Sequence, residues 1–108
     1  MTYKTAFIGM APEGDPKKHR ATIKTPKVEF TAVMVGLMDY EQAVDVCKEL
    51  LQGEGIQSIT LCPAFTHAEV ARVVDAVGKG VAVNVCRGDF PGTMREYEAV
   101  KKEGWFTK

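Results

Sequence analysis

Two cysteines, a histidine, an arginine and an aspartate stand where apolar runs give way to polar ones. Cys62 and His67 follow Ser58-Ile59-Thr60-Leu61, and Cys86, Arg87 and Asp89 follow Val81-Ala82-Val83-Asn84-Val85. A cysteine just ahead of a helix N-terminus meets free amides and the positive end of the helix dipole, both of which favour the thiolate. On that reading Cys62 is a candidate nucleophile and His67 its acid or base. The plain alternative makes Cys62 a small buried residue closing a strand, since cysteine is among the most buried types. His67 is then an exposed residue in the first turn of a helix.

Arginine grips a carboxylate or phosphate with two parallel hydrogen bonds, so Arg87 and Asp89, with His19 and Arg20 from another loop, are candidate ligand-binding residues. Solvated loops, or an ion pair of Arg87 with Asp89, would explain the same residues. Cys62, Cys86 and His67 are metal-ligand types without the tight spacing of a metal site, so no metal is expected. No cofactor is expected either. Gly78-Lys79-Gly80 leads into a strand instead of out of one, so it cannot cradle a phosphate, and no dinucleotide fingerprint or serine-centred elbow is present. Two cysteines at strand ends with a Thr-His pair after the first bear a likeness to the paired-thiol sites of amino-acid racemases. Those enzymes are longer and hold one cysteine in each half, and adjacent strand ends look too close to flank a substrate.

The chain of 108 residues, 45% of them hydrophobic, has the size of one domain spanning 1–108. At that length folding removes roughly two thirds of the unfolded surface from water. Lys plus Arg and Asp plus Glu both count 14, which leaves no basic excess for nucleic acid or an anionic membrane. No apolar run reaches the ~18 residues of a membrane helix, and no signal-peptide order opens the chain. These features predict a cytoplasmic protein, and its three cysteines then read as free thiols.

The elements that must position the polar residues follow from period and capping. Tyr3 to Ile8 reads as a first strand, and the polar, proline-punctuated stretch from Gly9 to Pro26 as a long loop in which Asp15-Pro16 starts a single helical turn. Val28 to Gly36 has the continuous apolar character of a strand covered on both faces. Asp39 with Gln42 caps a helix whose stripe is Tyr40, Ala43, Val44, Cys47, Leu50 and Leu51, ended by Gly53 and Gly55. Thr66 with Glu69 forms a second capping box, stapled by Phe65 and Val70, and Gly78 suits a left-handed helix end. Thr93 with Glu96 forms a third. The caps at 39, 66 and 93 repeat at the length of one strand-helix unit.

Alternating strands and helices imply a small α/β fold: a mostly parallel four-stranded sheet with three helices, a flavodoxin-like or Rossmann-like half. If the successive strands step one way, the first two helices share a face. Alternation then gives that face Ile59, Leu61, Val81, Val83 and Val85, and the other face Ser58, Thr60, Cys62, Ala82, Asn84 and Cys86. The second face is small and polar. Its cover would be the third helix, the long loop or a second subunit, so a homo-oligomer, most simply a dimer, is expected.

Ala6-Phe7-Ile8, Asp15-Pro16 before His19-Arg20, and Leu61-Cys62-Pro63-Ala64-Phe65-Thr66-His67 together resemble a family of short prokaryotic proteins catalogued only as a domain of unknown function. The resemblance covers nearly the whole chain and implies no activity, substrate or cofactor. In open parallel sheets ligands bind beyond the carboxyl ends of the strands. The functional expectation is therefore a small, anionic metabolite bound at that edge by Cys62, His67, Arg87, Asp89, His19 and Arg20, with thiol and imidazole chemistry open to the first two. The alternative is a non-catalytic structural or interaction subunit whose polar sheet face is an oligomer interface.

Overall fold

The computed structural model describes residues 1–106. Its elements are β1 (Tyr3–Ala11), β2 (Arg20–Lys24), β3 (Val28–Gly36), α1 (Tyr40–Glu54), β4 (Ser58–Leu61), α2 (His67–Val77), β5 (Ala82–Val85) and α3 (Phe90–Lys102). One five-stranded sheet runs in the order β2-β3-β1-β4-β5. All neighbours are parallel except β2 and β3. The α/β class, the three helices and the mostly parallel sheet agree with expectation, and the strand count does not.

The additional strand is β2, which lies inside what reads as loop. Arg20-Ala21-Thr22-Ile23-Lys24 folds back on β3 as an antiparallel hairpin, turning at Thr25, whose hydroxyl accepts from the Val28 amide at 3.0 Å. An edge strand needs no apolar alternation because one side of it is solvated, and β2 is exposed along most of its length. The true loop is shorter. Asp15 closes its single turn, with its carbonyl accepting from the His19 amide at 2.7 Å and its carboxylate from the Lys17 amide at 2.9 Å.

β1 also takes a place that the sequence order conceals. It sits between β3 and β4, pairing Ala6 with both Thr31 and Ile59. The α1 connection therefore crosses β1 instead of stepping to an adjacent strand. Both α1 and α2 still pack on one face, because both crossovers run the same way. The core between these helices and the sheet holds Ile8, Val33, Val35, Leu50, Ile59, Leu61, Phe65 and Val73, none more than 1% exposed. Each such side chain contributes on the order of 1.5–3 kcal/mol by leaving water.

Asp39 and Thr66 cap their helices as their spacing predicts, accepting from the amides of Gln42 at 3.0 Å and Glu69 at 3.4 Å. The Gln42 side chain accepts instead from the Gly36 amide at 2.7 Å, tying α1 to the end of β3. Gly55 ends α1 in the left-handed conformation, whereas Gly78 has positive φ but extended ψ. The third box does not form: α3 starts at Phe90 with Asp89 as cap residue and proline in its first turn, and Thr93 lies inside the helix. Proline's fixed φ suits that position, so Phe90-Pro91-Gly92 is helix and the repeat of caps is coincidental.

Along β4 and β5 the second face is polar, and Thr5 of β1 joins it through a hydroxyl hydrogen bond with Ser58 at 2.7 Å. On β1 and β3 it carries Phe7, Gly9, Phe30 and Met34, which alternation sets opposite the buried Ile8, Val33 and Val35. α3 stands over this face without burying any of its own residues. The gap between them forms a cavity. Among the described residues, no helix is long and apolar enough to cross a membrane.

Candidate functional site

The carboxyl ends of β4 and β5 meet as expected. Leu61 pairs in parallel with Val85, and the Cys86 amide donates to the Leu61 carbonyl at 2.8 Å. Just beyond, the Arg87 guanidinium donates from Nη1 to the Pro63 carbonyl at 3.2 Å. Cys62, Cys86 and Arg87 are therefore neighbours at one end of the molecule, and Asp89 heads the helix that follows.

The Cys62-Pro63-Ala64-Phe65 turn is held from three sides. The Cys62 amide donates to the Ile8 carbonyl at 3.0 Å, and the Phe65 amide to the Cys62 carbonyl at 3.2 Å. Tyr40, first residue of α1, donates its hydroxyl to the Ala64 carbonyl at 2.9 Å and meets the Phe65 ring edge-on at 5.7 Å. Burial pushes the Tyr40 hydroxyl above its ordinary pKa, and the charges of Glu69 and Cys62 push the same way.

Burial likewise pushes the Cys62 thiol up, while backbone N–H groups at Ala64, Met10 and Cys62 itself oppose the shift. The expected lowering by free amides is thus present, and the loss of water outweighs it. The balance favours the protonated thiol over the thiolate. His67 occupies the exposed first position of α2.

His19 and Arg20 do not join this group. Arg20 opens β2 opposite Val33, so alternation aims it at the α1 face, where Nη1 and Nη2 grip Glu49 at 3.0 and 3.2 Å and Nε donates to the Pro16 carbonyl at 3.0 Å. The Nδ1 atom of His19 accepts from the Asp15 amide at 3.0 Å, closing its own loop. The groove beside them is lined by Asp39, Glu41, Asp45 and Glu49 with one lysine, Lys17. Its sign repels an anion.

The cavity under α3 measures about 510 Å³. Phe7, Gly9 and Met34 form its floor, Cys62, Pro63 and Ala64 one wall, and Thr93, Glu96, Tyr97, Trp105 and Phe106 its cover. Tyr97 and Phe106 stack at 5.4 Å, so the cover is partly self-supporting. Met38 at the rim adopts φ 62, a left-handed conformation costing about 1–2 kcal/mol for a residue with a Cβ. Of the residues expected at a site, Cys62 alone lines this space, and Arg87 holds its wall from outside. The sequence signal for the rest was Gly9 near the end of an apolar strand: a Cβ there would stand 2.8 Å from the Met34 sulfur. Among the described residues, no cluster of three or more His, Cys, Asp or Glu side chains could hold a metal ion.

A model of a family of unknown function, DUF6506, matches residues 3–100. The chain belongs to this family. The DUF6506 match takes in β1 through most of α3, and with them the floor and wall of the cavity; Trp105 and Phe106 lie beyond it. No curated protein and no solved structure matches the chain.

Proposed function

We propose that this DUF6506 chain binds a small molecule with an apolar body and an anionic end, the body lodged between α3 and the sheet and the anion held by Arg87. The observation that carries the reading is the cavity itself. Its volume falls within the ~300–1,000 Å³ of ligand sites, and aromatic and methionine side chains dominate its lining. Its position supports the same reading. The parallel strands stand in the order β3-β1-β4-β5, and the cavity adjoins the carboxyl ends of β1 and β4, where the connections diverge and open parallel sheets bind ligands. Arg87 spends one N–H group on Pro63 and keeps others for a carboxylate. Cys62 offers the ligand a protonated thiol.

Titration of isotope-labelled protein with phenylbutyrate tests this. Saturable amide shifts at Gly9, Met34, Cys62 and Tyr97 are expected. Absence of saturable shifts, or shifts confined to the acidic groove by α1, would refute the reading.

A second reading, in which another copy of the chain covers this side, is favoured by α3 itself. Phe90, Met94 and Tyr97 are 77%, 53% and 55% exposed. Sedimentation equilibrium separates the two: a dimer that phenylbutyrate leaves intact, with no shifts inside the cavity, supports the interface.

A further inference from the structure

Cys62 and Cys86 occupy the next step of the β4–β5 ladder. Leu61 pairs with Val85, and the hydrogen bond from the Cys86 amide to the Leu61 carbonyl continues the parallel pattern one residue past the strands. Adjacent strands run about 4.8 Å apart, inside the roughly 4.4–6.8 Å Cα separation that a disulfide spans. Alternation sets both side chains on the same face, beyond Thr60 and Asn84. Both strands end one residue earlier, and each cysteine amide keeps one ladder hydrogen bond, Cys62 to the Ile8 carbonyl and Cys86 to the Leu61 carbonyl, which holds the pair in register. Ionised Cys86 also opposes ionisation of Cys62, as close neighbours must. The third thiol, Cys47, is buried on the core face of α1 and cannot compete.

We infer that Cys62 and Cys86 are a redox-active dithiol, a modification site at which small-molecule disulfides convert the pair into an intramolecular disulfide. Cys86 is exposed and Cys62 half-buried, which fixes the order of events. The Cys86 thiolate attacks one sulfur of the small disulfide, forming a mixed disulfide and expelling one small thiolate. Cys62, giving up its proton to the first expelled thiolate, then attacks the Cys86 sulfur, closing the internal bond and expelling the second. Two electrons pass from the protein to the small disulfide, and the two protein protons end on the released thiols. The inference does not depend on a ligand in the cavity.

The test is incubation of the native chain with excess oxidised glutathione, acid quenching, and mass analysis of intact protein and unreduced peptides. The wild type is expected to lose two hydrogens and to yield one peptide pair joining residue 62 to residue 86. Cys62→Ser is expected to stop at a stable glutathione adduct on Cys86, and Cys47→Ala to behave as wild type. A stable adduct on Cys86 in the wild type, or dimers linked through Cys86, would overturn the inference.

Discussion

Arg87 and Pro63 lie on different connections, yet a guanidinium N–H of one donates to the carbonyl of the other at 3.2 Å. This bond fixes the wall of the cavity and leaves a cation at its edge. Because Arg87 is exposed, Arg87→Ala should change stability by only about 0.5–1 kcal/mol. It should weaken phenylbutyrate about three- to ten-fold while leaving the uncharged phenylbutanol unaffected, since only the carboxylate uses the charge. Paired isothermal titrations read the difference.

Cys47 makes stability depend on alkaline pH. Burial raises its thiol from 9.0 to about 12, so between those values the unfolded chain loses a proton that the folded chain keeps. Stability from this group is intact below pH 9 and falls as pH rises towards 12, by roughly 1.4 kcal/mol per unit. Urea unfolding near pH 8 and about pH 10.5 should show a loss about 2 kcal/mol larger in the wild type than in Cys47→Ala, which keeps the part owed to Cys62 and Tyr40. Equal losses in both proteins would assign the alkaline sensitivity elsewhere.

Gly14 is a glycine for space. A Cβ there would lie 2.1 Å from the Val35 carbonyl oxygen, which is backbone and cannot rotate away. Gly14→Ala should therefore cost about 1–3 kcal/mol in thermal or urea unfolding. At Gly9 the obstructing atom is the mobile Met34 sulfur, so Gly9→Ala should cost less and narrow the cavity floor.

What the sequence revealed and concealed follows from where each signal resides. The helix stripe ending at Leu50 and the caps at Asp39 and Thr66 are local patterns, and the α1 and α2 start sites follow from them. The neighbourhood of Cys62 and Arg87 followed from parallel strands. β2 left little trace because an exposed edge strand needs no apolar face. The pairing of Arg20 is hidden for the same reason: its partners Glu49 and Glu54 are brought opposite it by the hairpin. The place of β1 between β3 and β4 is a long-range choice that no local pattern records. Without it, Phe7, Gly9 and Met34 could not be recognised as one floor.

The cavity claim is tested most directly by fluorescence titration with anilinonaphthalene sulfonate, an aromatic anion, on the wild type and on Thr93→Trp, which fills the space from an exposed position on α3. One saturable site is expected in the wild type, displaced by phenylbutyrate and lost in Thr93→Trp at unchanged thermal stability. Equal binding by both proteins, or fluorescence that phenylbutyrate does not displace, would contradict it.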